Sequence, residues 1–370
     1  MRILLLIDAL GSGGAERQMT YLAISLKKAG CEIRLIQFYD SVVFYEQELA
    51  QAGIKVEIRA EGLARWKRPW VIAKLVHSWQ PDAVIAYKDG CCLAACLAEL
   101  LGKHFKLIVS ERNTTQILNR RERLKFLLYR LADYVVPNSY SQGEFIKQHF
   151  PRLLPRLRVI TNMVDTKKFS IDPDVPKGTE VTPLVITTAR ISRQKNVIGY
   201  LQALQLLYQR GVKACFVWYG GSNSEDAVYE EEVKRMVRGL NLENYIHFAG
   251  RSDRISQLYR EATFFCLPSL YEGFANVLCE AMASGLVCVA SNVCDNPRIL
   301  NRSDRLFDPN NPIDMADKIE AMLTMPLEEY QIESIGNRER ILKLCSPKVF
   351  LNSYLKLCVE NNEYHFSSSY

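Results

Sequence analysis

Glu272 and Glu280 stand eight residues apart around a glycine-containing stretch, Leu270-Tyr271-Glu272-Gly273-Phe274-Ala275-Asn276-Val277-Leu278-Cys279-Glu280-Ala281-Met282-Ala283-Ser284-Gly285. The apolar run 263–267 before it ends at Pro268-Ser269, so the pattern predicts a strand, a loop and a short helix starting near Asn276. Asn276 is a candidate N-cap and Gly285 a candidate helix stop, which puts Glu280 in the first helical turn. A carboxylate accepts hydrogen bonds from vicinal hydroxyls. One acid on the loop and one on the helix therefore suit a ligand with diols at both ends and phosphate between. The same residues also have a reading without a ligand: Glu280 complements the helix dipole, and Glu272 is a solvated loop acid.

Two cations could meet such a phosphate. A strand expected over 184–189 runs into Arg190, and Lys195 and Asn196 follow on the same loop. Arg190 can grip a diphosphate with its planar fork and Lys195 as a point charge; a pair of solvated surface cations is the bland alternative. Near the N-terminus, Gly11-Ser12-Gly13-Gly14-Ala15-Glu16 follows a strand and opens a helix, where free N–H groups and positive dipole favour an anion. The stretch is neither a dinucleotide fingerprint, since position 16 is Glu16 and not glycine, nor a P-loop. With the diphosphate charge met by Arg190, Lys195 and a helix terminus, no metal and no cofactor are expected.

Short apolar runs alternate with helix-length stretches along most of the chain. Strands are expected at 3–7, 32–38, 55–59, 83–87, 106–110, 134–138 and 158–162, then at 184–189, 214–219, 246–249, 263–267, 286–290 and 305–307, with helices such as 16–29 and 69–79 between them. That rhythm predicts right-handed βαβ units and parallel sheets covered on both faces. Residues 164–183 interrupt it with Pro173, Pro176 and Pro183. The expected architecture is α/β, with two doubly wound, Rossmann-like domains: residues 1–170, a linker over 171–183, and residues 184–345. Ser346-Pro347 starts a last helix over 346–365, whose stripe of Phe350, Tyr354 and Cys358 must pack on a domain already formed and could cross back to the first.

Composition narrows the class. The 370 residues carry a net charge of +6, with 27 basic against 19 acidic residues in 1–180 and 20 against 22 in 181–370. Only the first half is built to meet something anionic, such as a membrane surface, a phosphorylated substrate or nucleic acid. The 11 cysteines show no zinc spacing and sit mostly in apolar runs, which reads as reduced thiols in a cytoplasmic protein. The apolar run at the N-terminus ends at Asp8, too short for a signal peptide, and no segment reads as a membrane span.

The run Glu272 to Glu280 resembles the Glu-x7-Glu motif of glycosyltransferase family 4, retaining enzymes that use nucleotide sugars and have the two-domain GT-B fold. The resemblance takes in Gly13-Gly14-Ala15-Glu16, Ile160-Thr161-Asn162-Met163-Val164-Asp165, Arg190 with Lys195, and Phe248-Ala249-Gly250. It implies two domains facing a cleft and transfer of a hexose or N-acetylhexosamine, from a donor such as a UDP-sugar, to a glycan hydroxyl in surface polysaccharide or glycoconjugate synthesis. By position, Arg190 and Lys195 would hold the donor diphosphate and Glu280 the ribose. Glu272, with the backbone of Gly273, Phe274 and Ala275 and with Asn276 beside it, would hold the donor sugar. Arg190, Lys195 and Glu272 are the candidate catalytic residues. Gly13 and Gly14 would lie across the cleft near the diphosphate and acceptor, and Glu16, Arg112 and Asn113 are the acceptor-side candidates. Many relatives carry a histidine after the fourth strand, where this chain has Ala86-Tyr87-Lys88-Asp89, so no histidine is singled out. A nucleotide-sugar epimerase and a catalytically silent binding scaffold are the alternatives.

Residues 112–130 add six cations, Arg112, Arg120, Arg121, Arg123, Lys125 and Arg130, against the single acid Glu122, with Leu124, Leu127, Leu128 and Leu131 at helical spacing. Trp66-Lys67-Arg68-Pro69-Trp70 interleaves aromatics with cations. These features predict peripheral contact with an anionic membrane, on the inner face of the plasma membrane, a polyprenyl-diphosphate-linked acceptor, and no nucleic-acid partner. If the leucines instead face the core, the arginines are a solvated face.

Overall fold

The structure, a computed structural model, describes residues 1–59, 64–102, 105–115, 117–172 and 182–360. Two six-stranded sheets organise it, and every named strand pair is parallel. In the first, β1 (Arg2–Ile7), β2 (Glu32–Gln37), β3 (Val56–Ile58), β4 (Ala83–Tyr87), β5 (Leu107–Glu111) and β6 (Tyr134–Pro137) take the order β3-β2-β1-β4-β5-β6. In the second, β7 (Leu184–Thr188), β8 (Cys215–Tyr219), β9 (Ile246–Gly250), β10 (Phe264–Leu267), β11 (Val287–Ser291) and β12 (Leu306–Phe307) take the order β12-β11-β10-β7-β8-β9. Each order reverses once, between β1 and β4 and between β7 and β10. Beyond the carboxyl ends of such a strand pair, the connections diverge and leave a ligand crevice.

The alternation of side chains explains why the strands are apolar throughout. Ile3, Leu5, Ile7, Ile85 and Tyr87 enter one core of the first sheet, while Leu4, Leu6, Val84 and Ala86 enter the core on its other face. Each fully buried Leu or Ile contributes about 1.5–3 kcal/mol, so a helix must cover both sides. The second sheet is covered in the same way, by one core holding Val185, Phe216 and Trp218 and another holding Ile186, Phe265 and Cys288.

The chain divides into a unit of Met1–Met163 joined by the segment from Pro347, and a unit of Val164–Ser346. This division falls ahead of the linker read from the prolines, because Val164 and Phe169 pack into a core of the second unit and Arg338 donates to the Phe169 carbonyl. Of that linker, residues 173–181 lie outside the described residues. The last helix is Pro347–Val359, and Phe350, Tyr354, Leu357 and Cys358 complete a core of the first unit. Residues 361–365 of the helix expected there lie outside the described residues.

The strand expected at 158–162 does not form. Arg158 and Ile160 donate to the carbonyls of Val135 and Pro137, and Leu157 makes one isolated bridge to Val135. Pro137 has no N–H to return, so the ladder stops. Among the described residues no helix is long and apolar enough to cross a membrane.

Candidate functional site

At the β7/β10 switch point, the loop leaving β7 brings Lys195 against the loop leaving β10. Lys195 Nζ lies 2.6 Å from Glu272 Oε1, which also accepts the Ser269 hydroxyl at 2.6 Å. The two loops are stitched by backbone: Leu270 N–H donates to the Gln194 carbonyl, and the Gln194 amide donates to the Tyr271 carbonyl. Asn196, in the left-handed region at φ 54°, holds its loop by donating to the Pro309 carbonyl. Glu272 is thus a buried, oriented carboxylate and not a solvated loop acid. Arg190 is exposed and forms no ion pair with a described residue, so its guanidinium is available at the strand end.

The helix after β10 spans Asn276–Ala283, and its N-cap is Ala275. Asn276 is therefore the first helical residue and not the cap, because the Phe274 carbonyl takes the Asn276 N–H and turns the chain one residue earlier. Glu280 consequently sits in the second turn, buried, where dipole complementation is weak; this corrects its first-turn placement. Gly285 ends the helix at φ +74°, a conformation that suits glycine, and a Cβ there would crowd Ile171. Gly273 is partly exposed, while Phe274 and Ala275 are buried.

In the first unit, Gly13 is the N-cap of helix Gly14–Lys28, with Glu16 in its first turn. A Cβ on Gly13 would collide with the Glu16 carboxylate. Glu16 pairs with Lys88, which follows β4 at φ 69°. Arg112 faces inward: its guanidinium stacks 3.9 Å from the Tyr87 ring centroid and donates to Asn162 Oδ1 at 2.8 Å and to the Tyr354 hydroxyl at 2.7 Å. That arrangement ties the last helix to the ends of β4 and β5. Asn113 is exposed beside it.

The sequence reading missed a buried charge cluster behind Arg112. Lys125 Nζ lies 2.8 Å from Glu111, 2.7 Å from Glu122 and 3.6 Å from Asp89. One ammonium cannot neutralise three carboxylates, and burial with Asp89 nearby pushes Glu111 up to about 7, against the pull of Lys125. Burial pulls the Lys125 ammonium down, but the three acids together outweigh it and hold Lys125 above the ordinary lysine range. A strand ending in Glu111, and Glu122 placed three residues before Lys125, were the available signals. Ser269 was missed as well; its place at the end of β10 could have marked it.

The leucine stripe divides. The helix is Arg120–Leu128, capped by Asn119, and a 3-10 turn at Tyr129–Leu131 rotates the face. Lys125, Phe126 and Tyr129 point inward, Leu128 and Leu131 are partly buried, and Leu124 and Leu127 stay 56% and 54% exposed. Arg120, Arg121, Arg123 and Arg130 are exposed around them. Trp66 and Trp70 are also exposed and pack edge to face.

Among the described residues no group of three or more His, Cys, Asp or Glu side chains is placed to hold a metal. The chain has one Asp-x-Asp, Asp172-Pro173-Asp174, in the connector; its last two residues lie outside the described residues.

Comparison with known proteins fits this geometry. The Glycosyltransferase Family 4 pattern matches residues 12–168, and that of Glycosyl transferases group 1 matches 182–325. An uncharacterized glycosyltransferase of Haemophilus influenzae is 31% identical over 85% of this chain and 88% of its own length. A Campylobacter jejuni α-1,4-N-acetyl-D-galactosaminyltransferase, named for an undecaprenol-diphosphate-linked acceptor, is 26% identical over 97% of this chain and 99% of its own. Anabaena HepE, solved in complex with UDP, superposes with a TM-score of 0.83 at 20% identity, covering 96% of this chain and 99% of that one. Two parallel sheets each opening at a switch point, a buried Glu272 of the Glu-x7-Glu loop paired with Lys195, and matches over both halves place the chain in glycosyltransferase family 4, with the GT-B fold.

Proposed function

We propose that this glycosyltransferase moves a hexose or N-acetylhexosamine, with retention, from a UDP-sugar to a hydroxyl of a polyprenyl-diphosphate-linked glycan. The observation that carries the reading is the second unit's buried Glu272, oriented by Lys195 and Ser269, with Arg190 exposed on the same loop as Lys195. Arg190 and Lys195 meet the leaving diphosphate, whose charge grows as the sugar gains oxocarbenium character. Glu272 and the backbone of Gly273, Phe274 and Ala275 hold the donor sugar, and Glu280 the ribose. A leaving phosphate oxygen takes the acceptor proton on the same face, so no protein nucleophile and no metal is required. Arg112, engaged by Tyr87, Asn162 and Tyr354, acts as a positioning residue for the acceptor side.

A panel of nucleotide sugars tests this by thermal shift and by release of nucleoside diphosphate with and without a lipid-linked acceptor. The expected result is stabilisation by one donor and acceptor-dependent release. Inversion of the donor without acceptor points to an epimerase, and no donor response at all to a binding scaffold; either overturns the reading. In the same assay Glu280→Ala is expected to weaken donor binding about tenfold while the protein still folds. Binding equal to that of the parent protein removes the ribose role.

The cytoplasmic membrane face is the proposed place of action, with the first unit as the contact. Exposed Leu124 and Leu127 among Arg120, Arg121, Arg123 and Arg130, and Trp66 and Trp70 beside Arg65 and Lys67, combine insertion with anionic attraction of about 1 kcal/mol per cation. The full chain should pellet with anionic liposomes at low salt and largely dissociate at high salt. Equal pelleting with anionic and neutral liposomes, or none with either, contradicts this.

A further inference from the structure

The two sheets place a lysine–carboxylate pair at the same topological point. In the second unit Lys195 follows β7 and Glu272 follows its neighbour β10. In the first, Glu16 follows β1 and Lys88 follows its neighbour β4, so the polarity is reversed. β1 and β4 run in register from Ile3 beside Ala83 to Leu6 beside Ala86, which brings their outgoing loops side by side.

Local structure at this edge is arranged around the pair. Lys88 sits at φ 69°, ψ 152°, a region that L-residues rarely occupy and that marks a backbone held in place by its surroundings. Glycine at 13 leaves room for the Glu16 carboxylate. The neighbouring acid, Asp8, is already engaged: Arg68 Nη1 lies 2.6 Å away, and its guanidinium stacks over Phe38 and Tyr39. Lys88 donates to Glu16 Oε1, and among the described residues neither the second carboxylate oxygen nor the other two ammonium protons has a hydrogen-bond partner. The pair is partly open to solvent, with 30% of the Lys88 side chain and 12% of that of Glu16 exposed.

Its neutrality selects the ligand. A phosphate would be drawn to Lys88 but repelled by Glu16 at nearly the same distance. A vicinal diol presents one oxygen to accept and one hydroxyl to donate, which is what the pair offers. We propose that Lys88 and Glu16 clamp two adjacent hydroxyls of the acceptor sugar, Lys88 donating to one oxygen and Glu16 accepting from the other, and so set acceptor specificity. The proposal rests on the reading of the first unit as the acceptor side.

The test uses the full chain without donor, titrated by NMR with the methyl α-glycosides of glucose, galactose, N-acetylglucosamine and N-acetylgalactosamine. The parent protein should prefer one of them. Glu16→Gln and Lys88→Gln should weaken that binding about tenfold or more, and Lys88→Arg should recover much of it. Lys88→Gly separates function from structure: relieving the left-handed backbone should raise the Tm while saccharide binding is lost. No binding of any glycoside by the parent, unchanged affinity in Glu16→Gln and Lys88→Gln, or a lower Tm in Lys88→Gly with affinity retained, each overturns the clamp. A nucleotide thermal shift run in parallel reads the donor site alone. If it persists in all variants while saccharide binding falls, only the clamp has been removed; if the parent lacks it, the transferase reading fails separately.

Discussion

Arg190→Ala combined with Lys195→Ala should abolish turnover, by about 10³-fold or more, while donor affinity falls only about tenfold. Removing a single preorganised stabiliser of developing charge lowers kcat by about 10²–10³. The ground-state diphosphate already carries its charge, but the bond-breaking step adds to it, so the loss should be greater in kcat than in binding. Arg190 is exposed, so its removal leaves the fold intact. Lys195 is different, because its loss also unpairs the buried Glu272 and leaves that carboxylate with Ser269 as its remaining side-chain partner among the described residues. Glu272→Gln with both cations in place separates the two effects and should lose much less than the double variant. Single-turnover kinetics with nucleotide titration decide it: equal losses in turnover and donor affinity would show that the cations bind the donor without stabilising its departure.

Lys125→Ala should destabilise the first unit by about 3–5 kcal/mol, the range for stripping a buried charge of its partner. Lys125 is 3% exposed and Glu111 fully buried, so water cannot replace the ammonium at the strand end. Protonation of Glu111 limits the loss. Its folded pKa, about 7, lies above the ordinary carboxyl value, so its contribution is present below pH 4.5 and fades as pH rises through about 7. The cost of Lys125→Ala should therefore be smaller at pH 5 than at pH 8. Lys125→Met with Glu111→Leu, which removes both charges, should recover a large part of the stability. Urea unfolding at the two pH values measures all three. A loss under about 1 kcal/mol at pH 8 would mean that the cluster is hydrated and holds the Arg120–Leu128 helix only weakly.

Periodicity carried the architecture. Buried parallel strands are apolar on both faces, so runs such as Ile3–Ile7 and Phe264–Leu267 were visible without knowledge of their partners. The failure at 158–162 has a local cause that periodicity cannot register: Pro137, on the neighbouring strand, lacks the donor that the pairing needs. The face of the Arg120–Leu128 helix was ambiguous for another reason. A leucine stripe and a buried lysine can exchange places when three carboxylates wait on the inner side, and Glu111 and Asp89 arrive there from other elements.

The site divides along the same line. Glu272, Glu280, Arg190 and Lys195 were readable as types and spacing, because strand-end loops and a helix start confine them to one sheet edge. Sequence by itself determined the two parallel sheets and which strand-end loops hold the candidate residues, since local period and glycine placement depend on neighbours a few residues away. Only the tertiary structure decided that Lys195 holds Glu272, that Glu280 lies one position deeper in its helix than its spacing suggested, that Arg112 turns inward onto Tyr87, and that Lys88 meets Glu16. Except for Glu280, whose depth is set by a one-residue shift in where its helix begins, these pairings join residues 25 to 77 positions apart. They form because, within each unit, strand order brings separate loops to the same sheet edge, and strand order is set by the packing of both faces at once.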